Sequence, residues 1–282
     1  MVMAYADLVY FAINQLSKRK IDNAANEGRW IVEAATGRDF RIPSAIEGEA
    51  DEETCKLVVN MLSRRVAGEP LQYILGEWEF FGLPFKVGEG VLVPRQDTET
   101  LVETAIRICE GIFKPKILDL CSGSGCIPIA IESMLPNAEL YAIEYSDKAF
   151  SYLKENIKLN GSNLKALCTD ALDESLIENF PKLDMITANP PYLTKQEMLN
   201  RDKSVLYEPP EALYGGNDGL CFYRALTRIW KNALKENGAL VYEIGYAQAD
   251  AVAKILLDNG FSNIKIVKDL AGKDRVVCGI LF

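Results

Sequence analysis

Apolar positions in the first part of the chain recur three and four residues apart. Tyr5, Leu8, Val9, Ala12, Ile13 and Leu16 fall on one helical face, and Cys55, Val58, Val59, Leu62 and Val66 do so again after the acidic start Asp51-Glu52-Glu53. Few β-branched alternations interrupt this stretch, so residues 1–75 are expected to form a small all-helical domain, with Gly68-Glu69-Pro70 near its end. From Gly76 the pattern changes to Trp78, Phe80, Phe81, Phe85, Val87, Val91 and Val93, punctuated by glycines and Pro84. This predicts a hairpin-type connector over 76–93.

After Pro94 an amphipathic helix (Leu101, Val102, Ala105, Ile106, Cys109) leads to a strand, and from there strands and helices alternate through one domain over 94–282. Strands are predicted over 117–120, 140–144, 167–170, 184–189, 239–244, 264–267 and 276–281, with helices over 127–135, 147–159, 222–234 and 249–259. Such alternation implies an α/β fold, a doubly wound and mostly parallel sheet. The link over 268–274 is too short for a helical crossover, so the last of the seven strands should run antiparallel to its neighbour.

The 282 residues are 49% hydrophobic and 25% charged, ordinary globular material with room for one large domain and a smaller one. The apolar runs are short and strand-like, Asp7 interrupts the first of them, and no secretory or transit pattern is present. A cytoplasmic location with no membrane partner is the expectation. Seven scattered cysteines without a CxxC pair read as reduced core thiols and not as a disulfide or zinc framework, and no metal is expected. The chain has no histidine, which excludes every mechanism that needs an imidazole. A net charge of −9 gives no footprint for a nucleic-acid backbone, so no direct nucleic-acid binding is expected and a basic protein surface or neutral substrate fits better.

Candidate chemistry concentrates at predicted strand ends. Asn189-Pro190-Pro191-Tyr192 follows the apolar run 183–188, and ligands of open parallel sheets bind beyond the carboxyl ends of the strands. An Asn side chain and the carbonyl after it, pointed into that crevice, can grip an NH2 group; a plain proline turn is the alternative. Asp119-Leu120-Cys121-Ser122-Gly123-Ser124-Gly125-Cys126 sits where the first strand of the sheet turns into a helix, and its glycines let the backbone approach a nucleotide. Pro128 occupies the place of the third glycine of a dinucleotide fingerprint, which argues against a pyrophosphate. Glu144 ends the next strand at the distance suited to gripping ribose hydroxyls, and Asp170 ends the third, where it could accept an adenine amine with Ala171 along the ring face.

These motifs resemble the HemK/PrmC family, the protein-(glutamine-N5) methyltransferases that modify peptide chain release factors. The likeness spans nearly the whole chain: 70–76 (PLQYILG), Glu79-Phe80-Phe81-Gly82, Val91 to Arg95 with Asp97-Thr98-Glu99, the glycine loop, Asn189-Pro190-Pro191-Tyr192, Glu208-Pro209, Gly215-Gly216-Asn217-Asp218-Gly219-Leu220, Glu243-Ile244-Gly245, and 269–275 (DLAGKDR). The four-residue Asn189 motif alone is shared with adenine-N6 DNA methyltransferases. The seven-strand plan with one antiparallel member is likewise that of a class I, Rossmann-like methyltransferase. Some positions depart from the family. Cys121 and Ser122 stand where Gly and Thr are usual, Gln96 where Pro follows the arginine, Glu144 where Asp is commoner, and Ala171 in place of an aromatic residue.

The resemblance implies S-adenosylmethionine as methyl donor, S-adenosylhomocysteine as product, no metal, and the glutamine of a Gly-Gly-Gln loop in class I release factors as acceptor. It assigns Asn189 and Pro190 to catalysis, Asn189, Pro190, Pro191 and Tyr192 to the substrate, and Asp119, Cys121, Ser122, Gly123, Ser124, Gly125, Glu144, Asp170, Ala171 and Asn189 to the cofactor. The helical domain would dock the release factor, and Arg95 would touch substrate or pair with a nearby acid. Three other readings remain open: a glutamine of a ribosomal protein as acceptor, an adenine-N6 methyltransferase, which the acidic balance disfavours, and a non-catalytic binder of S-adenosylmethionine, which has no need of an amide-gripping site.

Overall fold

The helical periods at the start of the chain fold where the spacing places them. The computed structural model describes residues 2–282. It opens with β1 (Met3–Ala4), α1 (Tyr5–Lys18), α2 (Ala24–Thr36), β2 (Glu49–Ala50), α3 (Glu52–Ala67) and α4 (Leu71–Leu75). The side chain of Asp51 caps α3 by accepting the Thr54 amide, and Gly68, at φ 106°, ends it. Leu8, Ala12, Leu16, Ile31, Val32, Val58 and Leu62 form the apolar interior of this part, and Arg65 grips Glu27 through two bonds of 2.6 and 3.1 Å that tie α3 to α2. The short antiparallel pair β1–β2, Met3 opposite Ala50, is an exception to the all-helical expectation. The first unit runs to Glu77 and takes in Asp202–Tyr207; the second holds Trp78–Arg201 and Glu208–Phe282.

The hairpin of β3 (Glu77–Phe80) and β4 (Leu83–Lys86) is followed by α5 (Glu99–Ile108), β5 (Lys116–Leu120), α6 (Cys126–Met134), β6 (Glu139–Glu144), α7 (Asp147–Leu159), β7 (Lys165–Cys168), β8 (Leu183–Ala188), α8 (Lys195–Leu199), α9 (Cys221–Trp230), β9 (Leu234–Glu243), α10 (Ala249–Asp258), β10 (Phe261–Lys268) and β11 (Asp274–Leu281). The seven-stranded sheet has the order β10-β11-β9-β8-β5-β6-β7. β5 to β9 are parallel, and β11 lies antiparallel between β9 and β10, as the short link requires. Successive residues of each strand serve opposite faces. Ile117, Met185 and Val241 pack into one apolar layer, while Leu118, Ile186, Leu240 and Tyr242 pack into the other around Tyr223 and Trp230. The winding reverses between β5 and β8, so the crevice of the fold opens at their carboxyl ends.

Three expectations need correction. The third strand stops at Cys168, so Asp170 does not end it: the Thr169 amide makes the last bond to β6, at Glu144 O, and a turn closed from Asp173 N to Asp170 O follows. The predicted helix over 222–234 ends at Trp230, because Leu234 is drawn into the sheet opposite Leu183 and β9 then steps out of register before Ala239. Four cysteines are buried, but Cys168 and Cys221 are exposed and Cys121 is half-buried, so the thiols are free without all being core residues. No helix among the described residues is long and apolar enough to cross a membrane.

Candidate active site

Residues 121–125 turn the chain from β5 into α6, and the turn requires three residues with positive φ: Cys121 at 57°, Gly123 at 55° and Gly125 at 80°. Only glycine adopts this region without strain, which explains why a cysteine is unusual at 121. Gly125 is also a close approach, since a Cβ there would lie 2.2 Å from Leu153 Cδ1. The turn is fixed by Ser122 N to Ile143 O (3.1 Å) and Gly125 N to Ser122 O (2.8 Å). The fully buried Asn156 of α7 donates to Ser124 O and Lys86 O and accepts the Lys86 amide, which ties the turn to the end of the hairpin.

Two buried carboxyl groups flank the turn. Glu144, at the end of β6, accepts the amides of Gly123 (2.7 Å) and Ser146 (2.8 Å), one on each oxygen. Burial pushes its pKa up and the backbone donors pull it back. Asp119 is fully buried; Oδ1 accepts the Thr187 hydroxyl at 2.6 Å, while Oδ2 has no partner. Burial raises its pKa to about 7, against the pull of Thr187 and Ser122.

A cavity of about 250 Å³ opens against these groups. It collects Cys121, Ser122, Gly123, Ser124, Glu144, Asp170, Ala171, Asn189 and Pro191 from the residues singled out in the sequence. Asp119, Gly125, Pro190 and Tyr192 are not part of its wall: Asp119 and Gly125 support the turn from within, and the ring of Tyr192 lies over Gly245. Asp170 reaches the cavity from the turn after β7, with Oδ1 accepting the Leu172 amide, and Ala171 O accepts the Trp230 indole N–H at 2.8 Å. Tyr145, Leu172 and Phe222, which no sequence motif marked, complete an apolar lining with Leu92.

Asn189 stands immediately beyond β8. Across the parallel ladder Ala188 pairs with Tyr242, which sets Asn189 beside Glu243. Glu243 is 2% exposed, its Oε2 has no hydrogen-bond partner, and burial raises its pKa to about 7, partly offset by the neighbouring side chains of Thr98, Arg275 and Asn189. The chain after Asn189 is anchored by Leu193 N to Leu213 O (2.8 Å) and Gly215 N to Leu193 O (2.9 Å). Arg95, on the cavity wall, donates to Glu208 at 2.6 Å, so the acid partner is the observed one. Sequence reasoning gave Glu243 and Glu208 no role, although both belong to motifs it singled out; their burial as acids was the missing signal. The wall thus joins carboxylates suited to hydroxyl and amine donors to the Asn189 amide, a set of groups that can hold a nucleoside and a second, NH2-bearing group.

Residues 7–76 match the family described as the PrmC N-terminal domain, and residues 96–217 the family described as the Methyltransferase small domain. The release factor glutamine methyltransferase of Geobacter sulfurreducens is 36% identical over 266 residues, covering 94% of this chain and 92% of the relative. That of Fusobacterium nucleatum is 43% identical over 228 residues, covering 80% of this chain and 64% of the relative, so the match spans just under two thirds of that relative's length. Among solved structures, the catalytic domain of hMettl16 in complex with the MAT2A 3'UTR hairpin 6 has a TM-score of 0.56 at 15% identity, covering 83% of this chain and 84% of that one. That likeness is one of fold.

Proposed function

The chain belongs to the family of release factor glutamine methyltransferases, and from that premise we propose that it methylates the side-chain amide nitrogen of the glutamine in the Gly-Gly-Gln loop of class I release factors. The observation that carries this reading is the presence of Asn189 on the same cavity wall as the glycine turn and Glu144. The residues of the wall fit S-adenosylmethionine: the Glu144 oxygens retain lone pairs for a ribose diol, and the Asp170 carboxylate suits an adenine amine beside Ala171. When bound, that cofactor supplies an electrophilic methyl group on a sulfonium.

The chain's own part in the reaction is positioning. An amide nitrogen is a poor nucleophile because its lone pair is delocalised, so it has to be held in line with the methyl and made more pyramidal. In this reading the Asn189 side-chain oxygen and the Pro190 carbonyl accept the two amide hydrogens, and Pro191 and Tyr192 hold the loop that presents them. A buried NH2 without acceptors costs roughly 2 to 7 kcal/mol, so the same two oxygens select NH2 over OH. Positioning contributes up to about 7 to 11 kcal/mol of barrier lowering. As the N–CH3 bond forms and the S–CH3 bond breaks, the nitrogen becomes acidic enough to release its proton to water, and no histidine is needed. Contacts made by the helical domain choose the protein, and the cavity chooses the atom.

The test is mass spectrometry of a purified class I release factor incubated with this protein and S-adenosylmethionine. One added methyl on the glutamine of the Gly-Gly-Gln peptide is expected. No gain there, with cofactor binding shown separately, moves the acceptor to another protein glutamine. Asn189→Ala is expected to abolish methylation while leaving cofactor affinity within several-fold; normal turnover by that variant refutes the role given to Asn189.

A further inference from the structure

The side chain of Gln248, the residue that precedes α10, reaches three separate segments at once. Its Oε1 accepts the Gly245 amide at 2.9 Å, and its Nε2 donates to Tyr192 O at 3.1 Å and to Gly219 O at 3.2 Å. The Gln248 backbone amide in turn donates to Gly245 O at 2.9 Å, which holds in a tight turn over 245–248 the backbone that carries this side chain. The three segments are the end of the Asn189 loop, the glycine-rich stretch 215–219, and the turn that follows Glu243.

Space for this contact is made by glycines. A Cβ at Gly219 would lie 2.3 Å from Tyr192 O and 2.5 Å from Gln248 Nε2, and one at Gly245 would lie 2.9 Å from Gln248 Oε1. A Cβ at Gly215 would lie 2.5 Å from Pro191 O and 2.6 Å from the Tyr192 Cα. Backbone and amide therefore meet at distances that no other residue type allows. None of the residues 215–220 and 243–245 lines the cavity itself; Gly215, Gly219 and Gly245 instead all pack against Tyr192.

We infer that Gln248 is a positioning residue for methyl transfer: by clasping the Tyr192 carbonyl to Gly219 and Gly245, it holds the Asn189-Pro190 acceptors in the geometry the reaction needs. The inference rests on the assignment of Asn189 and Pro190 to the substrate amide. Gln248 is absent from the cavity wall, so it acts through the loop and not on substrate or cofactor. An amide is required for the clasp, because one end accepts an N–H while the other donates twice to carbonyls, which neither a carboxylate nor a hydrocarbon does.

The test compares the full-length protein with Gln248→Ala and Gln248→Glu, using an intact class I release factor as acceptor. For both variants kcat is expected to fall about a hundredfold, the scale of a small misplacement of reacting groups, with S-adenosylhomocysteine affinity unchanged within several-fold. The Glu variant keeps the acceptor for Gly245 N but has no donor for Tyr192 O, so recovery of kcat in Gln248→Glu overturns the clasp. Hydrogen exchange without substrate gives an independent reading: the amides of 192–193 and 215–219 should exchange faster in both variants. Unchanged exchange there refutes the inference. Absence of turnover by the unsubstituted protein refutes the assigned reaction instead, while the exchange measurement still decides the clasp.

Discussion

Thr187 and Asp119 face each other across neighbouring parallel strands, and the Thr187 hydroxyl donates to Asp119 Oδ1 at 2.6 Å with both side chains fully buried. The second carboxyl oxygen has no partner, and burial raises the Asp119 pKa from 3.8 to about 7. Folding thus favours the protonated acid. The stabilisation is fully present below the unfolded value and is lost as pH rises through the folded one, with a ceiling of about 4 kcal/mol. Unfolding by urea between about pH 4 and about pH 7 should show stability falling with pH, and Asp119→Asn should flatten that slope. An unchanged slope in the variant shows that Asp119 does not titrate in this window.

Cys121 lines the cavity from a backbone position, φ 57°, that penalises side chains. The left-handed region costs an ordinary residue about 1 to 2 kcal/mol. Cys121→Gly relieves that strain, but the unfolded chain gains freedom and the thiol's packing is lost, so its stability should stay within about 1 kcal/mol of the unsubstituted protein. Cys121→Val, branched at Cβ, should lose about 2 kcal/mol or more. Urea midpoints decide, and a Val variant as stable as the Gly one contradicts the strain.

Glu144 holds the turn through two backbone amides, one on each oxygen. In Glu144→Gln one oxygen becomes an NH2 that must face either Gly123 N–H or Ser146 N–H, donor against donor. Hydrogen bonds to charged groups are worth about 1.5 to 3 kcal/mol, so calorimetric titration with S-adenosylhomocysteine should show affinity lowered about tenfold or more. Affinity equal to that of the unsubstituted protein would remove Glu144 from the cofactor site.

The sheet was legible because its central strands β5, β6 and β8 and the second half of β9 are largely buried on both faces and so read as apolar runs, and the antiparallel β11 followed from a link too short for a helix. The error at Asp170 has a physical origin: β7 is one of the two edge strands, bonded on one side only, and its last residues are released into a turn without any change in residue type. Leu234 was read as helix because its apolar character fits either element until its partner Leu183 is known. Cys121 to Ser124, Glu144, Asp170, Ala171, Asn189 and Pro191, singled out from the sequence, line one cavity, but Glu243 and Gln248 were not given roles. Their importance lies in the β8–β9 register and in bonds between distant loops, which local patterns do not encode.

Glu243 is the buried group whose charge state bears most directly on Asn189. Groups facing it come from several elements: Thr98 and Asp97 before α5, Arg275 on β11, Asn189 and Tyr192 after β8, Tyr223 on α9 and Cys126 on α6. As a carboxylate Glu243 only accepts, so it draws the Asn189 NH2 toward itself and turns Oδ1 outward, the orientation that can receive an acceptor hydrogen. Once protonated it can donate to Oδ1, and the reversed amide then offers NH2 to NH2. With a pKa raised by burial to about 7, the competent carboxylate form predominates above that pH and is lost below it. The kcat of the unsubstituted protein should therefore fall on acidification through about pH 7. Glu243→Gln, which has no proton to gain, should show a lower kcat with that acid limb removed. A variant that keeps the limb shows that another group sets it and that Glu243 does not control the amide.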